Sequence, residues 1–394
     1  MVGLGIFSLG YLVGVGGYKG DIKNFPRVTI SREVPQDKGE LDFSLFWKVW
    51  DALGASYYDK EKIIPANMVY GAIEGMVSAV GDPYTVFLPP DKNKVVQEDL
   101  QGSFEGVGIQ IGFKGNQLAV IAPLPGSPAE KVGVKAGDYI VGIKDEEKGI
   151  ERGTVGISLA DAVQVIRGPA GSKVILSLLR EGSSEVIVVE ITREAIDIPS
   201  VKLSFEGDGK IAHIKLLKFG GETQAEWEDA VTEVVKRPEV KGIVLDLRNN
   251  PGGYLQGAVD IAGEFLKTGK VVVIEERAGT KNDYMVEGVG RFLNTPLVVL
   301  ANGGSASASE ILAGALRDNN RAKIVGETTF GKGTIQEPQQ VNGGAGLHIT
   351  IARWLTPDGT WVNEGGLKPD IEVKDNPDTP EDEQLQEAVK QLGF

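Results

Sequence analysis

The sequence predicts a multi-domain α/β protein, and three observations support this fold class. The chain has 394 residues, 41% of them hydrophobic, which is enough for two or three domains that each have a core. From about residue 101 to 196, short strands with alternating apolar residues follow one another, as in a small β domain. Beyond residue 200, apolar strands alternate with helical patterns, which indicates an α/β core.

Composition excludes several functional classes. Asp and Glu outnumber Lys and Arg by 55 to 41, and the net charge of -14 repels phosphate backbones, so nucleic acid is not an expected partner. The absence of cysteine excludes thiol catalysis, disulfides and thiolate metal sites. His213 and His348 are too few for most histidine metal sites, and both lie in alternating strand patterns. We therefore expect no metal and no cofactor.

The N-terminal segment is apolar and precedes a polar linker. Residues 1–18 carry no charged side chain. As a helix they would span about 27 Å, close to the hydrocarbon thickness of a bilayer. We expect a membrane anchor or signal segment here, and hence a membrane-anchored, extracytoplasmic protein in the periplasm or at the outer face of the cell membrane. The alternative is a frayed apolar tail.

Helices are predicted on both sides of the strand-rich regions. Residues 41 to 81 predict two amphipathic helices, with Pro65 at the first position of the second helix. These helices suit a cap or an oligomerisation element, so a homodimer is one expectation. The acidic C-terminal tail predicts a linker and then a short helix that packs on the protein or on a second subunit. The apolar face of that helix would carry Leu385, Val389 and Leu392.

The α/β core is predicted to contain buried parallel strands at Gly242 to Leu247 and Pro296 to Leu300, each followed by a helical crossover. The expected organisation of the chain is an anchor or signal segment at 1–20, a linker at 21–40, a helical N-terminal cap at 41–100, the β domain at 101–196, the core at 197–375, and an acidic linker with a C-terminal helix at 376–394.

Two loops of the core carry unusual residues after predicted strands. DLRNNPGG, residues 246–253, exposes backbone N–H groups beside glycines, as an oxyanion hole requires, although a plain strand-to-helix turn explains it equally well. NGGSASASE, residues 302–310, lets the chain turn sharply into a helix, so a serine here is a candidate nucleophile, or else a helix cap. The three serines of this loop are Ser305, Ser307 and Ser309.

A third loop, GETTFGKGTIQ, carries a candidate base. Gly326, Gly331 and Lys332 fit a phosphate-binding loop, but Gly333 replaces the magnesium-binding Ser or Thr and a strand follows, so we reject a nucleotide site. An unperturbed lysine has a pKa of about 10.4, and burial lowers it by up to roughly 3 to 5 units. Lys332 is therefore a candidate base for a serine. This chemistry alone does not choose among the three serines.

Together these loops resemble the tail-specific, or carboxyl-terminal processing, serine proteases, a family that uses a Ser-Lys dyad and an embedded PDZ domain. The likeness covers about residues 40 to 394. The resemblance implies a core of the crotonase and Clp-protease type with an embedded PDZ domain. The matching motifs, in order, are GDPYTVFLPP, FEGVGIQI, GSPAEKVGVKAGDYIVGI, VLDLRNNPGG, NGGSASASEILAGALRDN, GETTFGKGTIQ and LTPDGTWVNEGGLKPDIEV.

The resemblance also implies roles for particular residues of the core. Ser307 matches the nucleophile, Lys332 the base, and Gln336 the glutamine that orients the base. The oxyanion donors would be the backbone N–H of Ala308 and that of a glycine in NNPGG, with Gly253 preferred to Gly252.

In the PDZ domain, FEGVGI matches the carboxylate-binding loop, so the backbone N–H groups of Val107, Gly108 and Ile109 would hold the C-terminus of a protein or peptide that ends in small or apolar residues. Arg167 matches an arginine that couples the position of the PDZ domain to the active site, and a solvated turn arginine is the alternative.

The resemblance therefore implies a serine endopeptidase that recognises protein C-terminal tails and works through an acyl-enzyme. Two alternatives stay open. One is a catalytically silent PDZ scaffold or ligand-binding protein on the same core, against which Ser307, Lys332 and Gln336 argue. The other is a crotonase-like acyl-CoA enzyme, which would explain neither the PDZ domain nor the serine and lysine.

Overall fold

The computed structural model describes residues 18–24, 27–32 and 42–394, except residues 115, 116, 125, 136, 158, 181, 184, 198, 287, 364 and 376–380. Most of the predicted membrane segment, residues 1–17, lies outside the described residues. None of the helices in the described part of the chain is long and apolar enough to cross a bilayer. The chain divides into two compact units, residues 1–73 and 74–394.

The first unit contains a hairpin and the cap helices. Strands β1 (Tyr18–Asn24) and β2 (Arg27–Arg32) pair antiparallel, from the last three residues of the predicted anchor segment into the predicted linker. The run Val-Thr-Ile in β2 explains this correction, because β-branched residues favour extended backbone. The two predicted helices are confirmed as α1 (Ser44–Ser56) and α2 (Pro65–Ser78), which begins at Pro65 as expected and extends beyond the unit.

The second unit begins with a short strand and a helix, β3 (Val86–Leu88) and α3 (Pro90–Gln101), that precede the β domain. The predicted strands of that domain are confirmed, and they form a sheet in the order β10-β9-β7-β6-β5. Strand β4 pairs with β11, which brings the two ends of the domain together. Strand β8 and helix α4 were not predicted, because four residues are too short to show a period. The elements are β4 (Ser103–Gly106), β5 (Ile109–Lys114), β6 (Gln117–Pro123), α4 (Pro128–Lys131), β7 (Tyr139–Asp145), β8 (Ile150–Gly153), α5 (Leu159–Ile166), β9 (Lys173–Leu179), β10 (Val186–Thr192) and β11 (Glu194–Asp197).

The α/β core is built on a sheet in the order β12-β13-β14-β17-β18-β21, in which only β12 runs antiparallel to its neighbour. Strands β14 and β17 are buried at every residue, which confirms the predicted parallel strands. The elements of this layer are β12 (Val201–Glu206), β13 (Ile211–Leu216), α6 (Thr223–Val235), β14 (Gly242–Asp246), α7 (Leu255–Phe265), β17 (Leu297–Ala301), α8 (Ala308–Asp318), β18 (Lys323–Gly326) and β21 (Ile371–Glu372).

A second sheet, in the order β16-β15-β20-β19, is antiparallel, and β3 pairs with β20. Strand β15 has the same kind of apolar run as the buried parallel strands, but the element that follows it is strand β16 rather than a helix. Its apolar run alone does not distinguish the two kinds of sheet. The strands are β15 (Lys270–Glu276), β16 (Lys281–Met285), β19 (Thr334–Gln340) and β20 (Gly346–Leu355).

The predicted C-terminal helix is confirmed as α9 (Glu383–Gln391). Its apolar face, formed by Leu385, Val389 and Leu392, packs with Ile211 and Val244 in a separate hydrophobic cluster. The helix therefore covers the protein's own parallel sheet, rather than depending on a second subunit for that face.

Candidate active site

Three neighbouring parallel strands bring the three unusual loops together. Strands β14, β17 and β18 are adjacent and parallel, so the loops that follow them leave the same edge of the sheet. Backbone hydrogen bonds join these loops directly: Ala306 N–H donates to the Asn250 carbonyl at 3.0 Å, and Phe330 N–H donates to the Ser305 carbonyl at 3.0 Å. The sheet thus assembles one site from segments up to 80 residues apart.

The three alternating serines have different environments. Ser305 is buried and its hydroxyl donates to the Leu247 carbonyl at 2.8 Å, while buried Ser309 donates to the Asn250 carbonyl at 2.9 Å. Both flanking serines therefore fasten the second loop to the first. The half-buried Ser307 hydroxyl donates to no acceptor among the described residues. The structure separates three residues that local chemistry left equivalent.

The Ser307 backbone occupies a sharp turn at the start of α8. Its φ of 56° and ψ of -115° are unusual for a residue with a side chain and indicate local strain. This is the strand-turn-helix geometry that exposes a nucleophile at the end of a strand. The sequence predicts such a turn, and the structure confirms it.

The Pro-Gly-Gly loop packs directly against this turn. A Cβ at Gly252 would lie 2.9 Å from Ser307 Cβ and 3.0 Å from Ala308 N, and a Cβ at Gly253 would lie 2.0 Å from the Phe219 carbonyl oxygen. Gly253 also has a φ of 134°, in a region that favours glycine. Both positions therefore require glycine, because a side chain would displace the loop.

The candidate oxyanion donors differ in whether their N–H groups are already used. Gly252 N–H donates to Asn250 Oδ1 at 2.9 Å. The N–H groups of Gly253 and Ala308 donate to no acceptor within the described part of the chain. This pattern favours Gly253 over Gly252. Asn250 was not identified from sequence, although it is fully buried and its amide also donates to the Leu216 carbonyl at 2.8 Å.

A buried ionic cluster supports the base of the same loop. Fully buried Asp246 accepts hydrogen bonds from the backbone and guanidinium of Arg248, and His213 Nε2 lies 3.1 Å from its carboxylate. Burial raises the pKa of Asp246, but the bonds from His213 and Arg248 outweigh it and hold the pKa well below its usual range. Arg248 also binds Asp382, the N-cap of α9, at 2.7 and 2.8 Å.

Lys332 lies between β18 and β19, where its side chain is half-buried. Burial lowers the pKa of Lys332, while the negative charges of Asp82 and Glu310 oppose this shift. Its Nζ lies 5.0 Å from the centre of the Tyr84 ring. Among the described residues, neither Ser307 nor Gln336 hydrogen-bonds to this Nζ.

Gln336 lies in β19, close to the predicted base in sequence but engaged elsewhere. Its amide donates to Thr334 Oγ1 at 2.9 Å and to Thr350 Oγ1 at 3.1 Å. The resemblance implies that Gln336 orients Lys332. In the structure, however, the Gln336 amide does not contact Lys332.

Glu310 connects the two candidate catalytic residues, and sequence reasoning missed it. The side chain is fully buried, and its Oε2 accepts from Ser307 N–H at 2.8 Å and from Lys332 N–H at 2.9 Å. Its Oε1 accepts from Thr329 Oγ1 at 2.5 Å and Gly331 N–H at 2.7 Å. The spacing Ser307-x-x-Glu310 is a capping-box pattern and was the available signal.

The β domain carries a groove beside the predicted carboxylate-binding loop. A cavity of about 150 Å³ is lined by apolar side chains of β4, β5 and α5 and by Arg167. The carbonyls of Val107 and Gly108 accept from Ala129 and Leu124, at 3.0 and 2.9 Å, whereas their N–H groups donate to no acceptor in the described chain. The other apolar side chains at the cavity include Phe104, Ile109, Ile111, Val163 and Ile166.

Arg167 connects this groove to α3. Its guanidinium lies 4.5 Å from the centre of the Phe104 ring, and its Nη1 lies 3.3 Å from the Glu98 carboxylate. Arg167 therefore contacts both the groove, through Phe104, and α3, through Glu98.

Comparison with known proteins agrees with this architecture. Peptidase family S41 matches residues 210–373, and the PDZ domain matches residues 120–180. The chain is 36% identical over 337 residues to the carboxy-terminal processing protease CtpA of Bacillus subtilis, over 85% of this chain and 70% of that protein. It is 36% identical over 355 residues to the chloroplastic C-terminal processing peptidase of Tetradesmus obliquus, over 86% and 75%.

Among solved structures, the photosystem II D1 C-terminal processing protease matches with a TM-score of 0.50 and 34% identity, over 89% of this chain and 96% of that one. The predicted fold class and the predicted family are both confirmed. The chain therefore belongs to peptidase family S41, as a serine-type carboxy-terminal processing protease that carries a PDZ domain.

Proposed function

We propose that this protease hydrolyses peptide bonds through an acyl-enzyme, with Ser307 as nucleophile and Lys332 as general base. One observation carries the choice of nucleophile: the Ser305 and Ser309 hydroxyls donate to backbone carbonyls, whereas Ser307 stands in a strained turn beside two N–H groups that donate to no acceptor among the described residues. The lowered pKa of Lys332 supports its role, because a base must be neutral to accept a proton.

In the proposed reaction, Ser307 Oγ gives its proton to neutral Lys332 Nζ and bonds to the carbonyl carbon of the scissile peptide. The N–H groups of Gly253 and Ala308 stabilise the resulting oxyanion. The Lys332 ammonium then protonates the departing amine as the C–N bond breaks. Water attacks the ester with Lys332 again as base, which releases the acid and restores Ser307. Gln336 would orient Lys332 after its amide leaves Thr334 and Thr350.

We propose that the PDZ groove selects substrates by their C-termini. The N–H groups of Val107 and Gly108, with that of Ile109, would bind the terminal carboxylate, while the apolar cavity receives the last side chain. A cavity of about 150 Å³ suits a small or medium apolar side chain. The ligands are therefore protein or peptide tails that end in such residues.

We propose that Arg167 couples this groove to the loop at residues 246–253, called the oxyanion loop below. Arg167 pairs with Glu98 of α3, and at the end of α3 the Leu100 carbonyl accepts from Gly221 N–H at 3.0 Å. Two residues earlier, Phe219 N–H donates to the Gly252 carbonyl at 2.9 Å. These contacts form a continuous physical connection, which supports coupling.

We also propose that residues 1–20 anchor the protein on the extracytoplasmic side of a membrane, because their first 18 residues are uncharged and apolar. A homodimer through the cap helices is a further proposal, supported by the exposure of Phe43, Leu45 and Trp47. Carbonate extraction, together with protease accessibility in intact cells, tests the membrane anchor. Sedimentation of the detergent-solubilised chain tests the homodimer, and a monomer at micromolar concentration contradicts it.

The decisive experiment compares Ser307→Ala with Ser305→Ala and Ser309→Ala on a peptide with an apolar C-terminal residue, with products identified by mass spectrometry. We expect Ser307→Ala to abolish cleavage, while the flanking variants retain it at a reduced rate. Loss in a flanking variant but not in Ser307→Ala contradicts the assignment. A wild-type protein that binds the tails but cleaves none of them favours a silent scaffold.

A further inference from the structure

The turn that precedes β3 is a conspicuous motif that the proposed reaction does not use. In this GDPYT segment the Asp82 carboxylate accepts from Tyr84 N–H at 3.0 Å and from Thr85 Oγ1 at 2.6 Å. Thr85 N–H also donates to the Asp82 carbonyl at 3.3 Å. The turn is thus held in one shape by its own side chains.

The same turn is bonded to the strand that lies beside Gln336. Thr350 N–H donates to Thr85 Oγ1 at 3.1 Å, and the Thr350 side chain hydrogen-bonds to Asp82. Thr350 Oγ1 also accepts from the Gln336 amide at 3.1 Å. A chain of hydrogen bonds therefore runs from Asp82 through Thr350 to Gln336, over a sequence separation of about 250 residues.

The third contact of the turn is with the candidate base. The Tyr84 ring lies 5.0 Å from Lys332 Nζ, within the distance at which an aromatic face attracts a cation. The backbone of Lys332 is fixed independently, because its N–H donates to Glu310. Glu310 thus fixes the backbone of Lys332, and the Tyr84 ring contacts the ammonium group of its side chain.

We propose that the Asp82–Thr85 turn is the positioning element of the catalytic dyad: the face of Tyr84 holds the Lys332 ammonium, and Asp82 with Thr85 fixes Thr350, which holds the Gln336 amide before it turns to Lys332. This inference rests on the proposed Ser-Lys function. Tyr84 is a positioning residue in it, because it acts on substrate only through Lys332.

The groups around Lys332 determine whether loss of the Tyr84 ring raises or lowers the pKa of Lys332. The ring and the charges of Asp82 and Glu310 favour the ammonium form, whereas burial favours the neutral form. His348 of β20 also faces the group, but burial and the charge of Lys332 lower its pKa, so His348 is neutral above pH 7. Removal of the ring therefore lowers the pKa of Lys332 and also releases its side chain.

The test is the pH profile of kcat/KM for the full chain with a cleavable peptide. We expect Tyr84→Leu to lower kcat about tenfold with little change in KM, and to move the acid limb down by about 0.5 to 1 pH unit. Tyr84→Phe, which keeps the ring, should retain the wild-type kcat and the wild-type position of the acid limb. The matched control is Tyr284→Leu, which changes a tyrosine of β16, at the edge of the second sheet opposite β19, and should leave the profile unchanged.

A series of fluorinated phenylalanines at position 84 covers the case in which Tyr84→Leu unfolds. Fluorine weakens the negative face of the ring with little change in shape, so each added fluorine should lower the acid limb further. A limb that stays constant across the series overturns the inference, and so does a Tyr84→Phe variant as impaired as Tyr84→Leu. Cleavage that survives in Ser307→Ala or Lys332→Ala refutes the dyad itself, which is a separate outcome.

Discussion

At the residue scale, the buried Glu310 carboxylate joins the two loops that carry Ser307 and Lys332. Four donors surround its carboxylate: two backbone N–H groups of the lysine loop, the Thr329 hydroxyl, and Ser307 N–H. A buried carboxylate is stable only when such donors replace water. Because donors come from the loops of both Ser307 and Lys332, the stability of the carboxylate and the geometry of the proposed dyad depend on each other.

We expect Glu310→Gln to lower kcat at least 100-fold and to lower the melting temperature. A glutamine offers one accepting oxygen, and its NH₂ group would face N–H donors, which leaves buried groups unpaired. The control is Glu239→Gln, an exposed glutamate before β14. Peptide cleavage and thermal unfolding measure the two effects, and a variant with the wild-type kcat contradicts this role.

We expect one residue, the proposed base Lys332, to set the pH dependence of activity. Burial lowers the pKa of Lys332 below its usual 10.5, and only the neutral amine accepts a proton, so kcat/KM should rise with pH through that lowered pKa. Lys332→Arg should be inactive at every pH, because a guanidinium does not deprotonate in proteins. His348→Gln should retain an acid limb. If that limb disappears, His348 rather than Lys332 is the titrating base.

At the scale of elements, the C-terminal helix contacts the proposed oxyanion loop from outside the site. Asp382 caps α9 by accepting from Leu385 N–H at 2.8 Å, and the same carboxylate holds the Arg248 guanidinium. Arg248 lies four residues before Gly252. The helix thus adds both apolar packing and one ion pair to the segment that leads into the Pro-Gly-Gly turn.

Asp382→Asn and Asp382→Ala separate these contributions. Asparagine keeps the helix cap and loses the charge, whereas alanine loses both and should cost about 1 kcal/mol more in unfolding free energy. Burial raises the pKa of Asp382, but the bonds from Arg248 outweigh it, so the pKa is lowered and the ion pair stabilises the protein above about pH 4. This stabilisation is lost as the pH falls through the folded pKa.

Denaturant unfolding at several pH values measures this difference. The stability gap between wild type and Asp382→Asn should be constant from pH 5 to 7 and should close in acid. Glu381→Gln, an adjacent exposed position, is the control and should show no gap. A gap that persists at pH 2 means that the ion pair is not its cause.

At the scale of the whole molecule, the PDZ groove and the oxyanion loop are connected through α3. We expect Arg167→Ala to reduce the preference for a free C-terminal carboxylate, measured as the ratio of kcat/KM for a peptide and for its C-terminal amide. Arg152→Ala, an exposed arginine of the same domain, serves as the control. If Arg167→Ala keeps the wild-type activity and the wild-type ratio, Arg167 does not couple the two sites.

Much of this architecture could be predicted because it depends on local pattern. The parallel strands β14 and β17 appear as apolar runs, and the loops after them carry small residues in a recognisable order. The antiparallel pairing of β15 could not be predicted, because one apolar run suits either kind of sheet. The contact of Tyr84 with Lys332 could not be predicted either, because it depends on β3 pairing with β20 across more than 250 residues.

The order of these segments along the chain has a consequence for biosynthesis. The Tyr84 turn precedes the PDZ domain, whereas Ser307, Lys332 and Thr350 follow it. The last strand of that domain, β11, ends at Asp197, so all of its strands have been made while the core is still being translated. Strand β20, which carries Thr350, ends at Leu355. A nascent chain can therefore form its PDZ domain well before the proposed catalytic residues Ser307 and Lys332 can meet, so the two domains need not fold together.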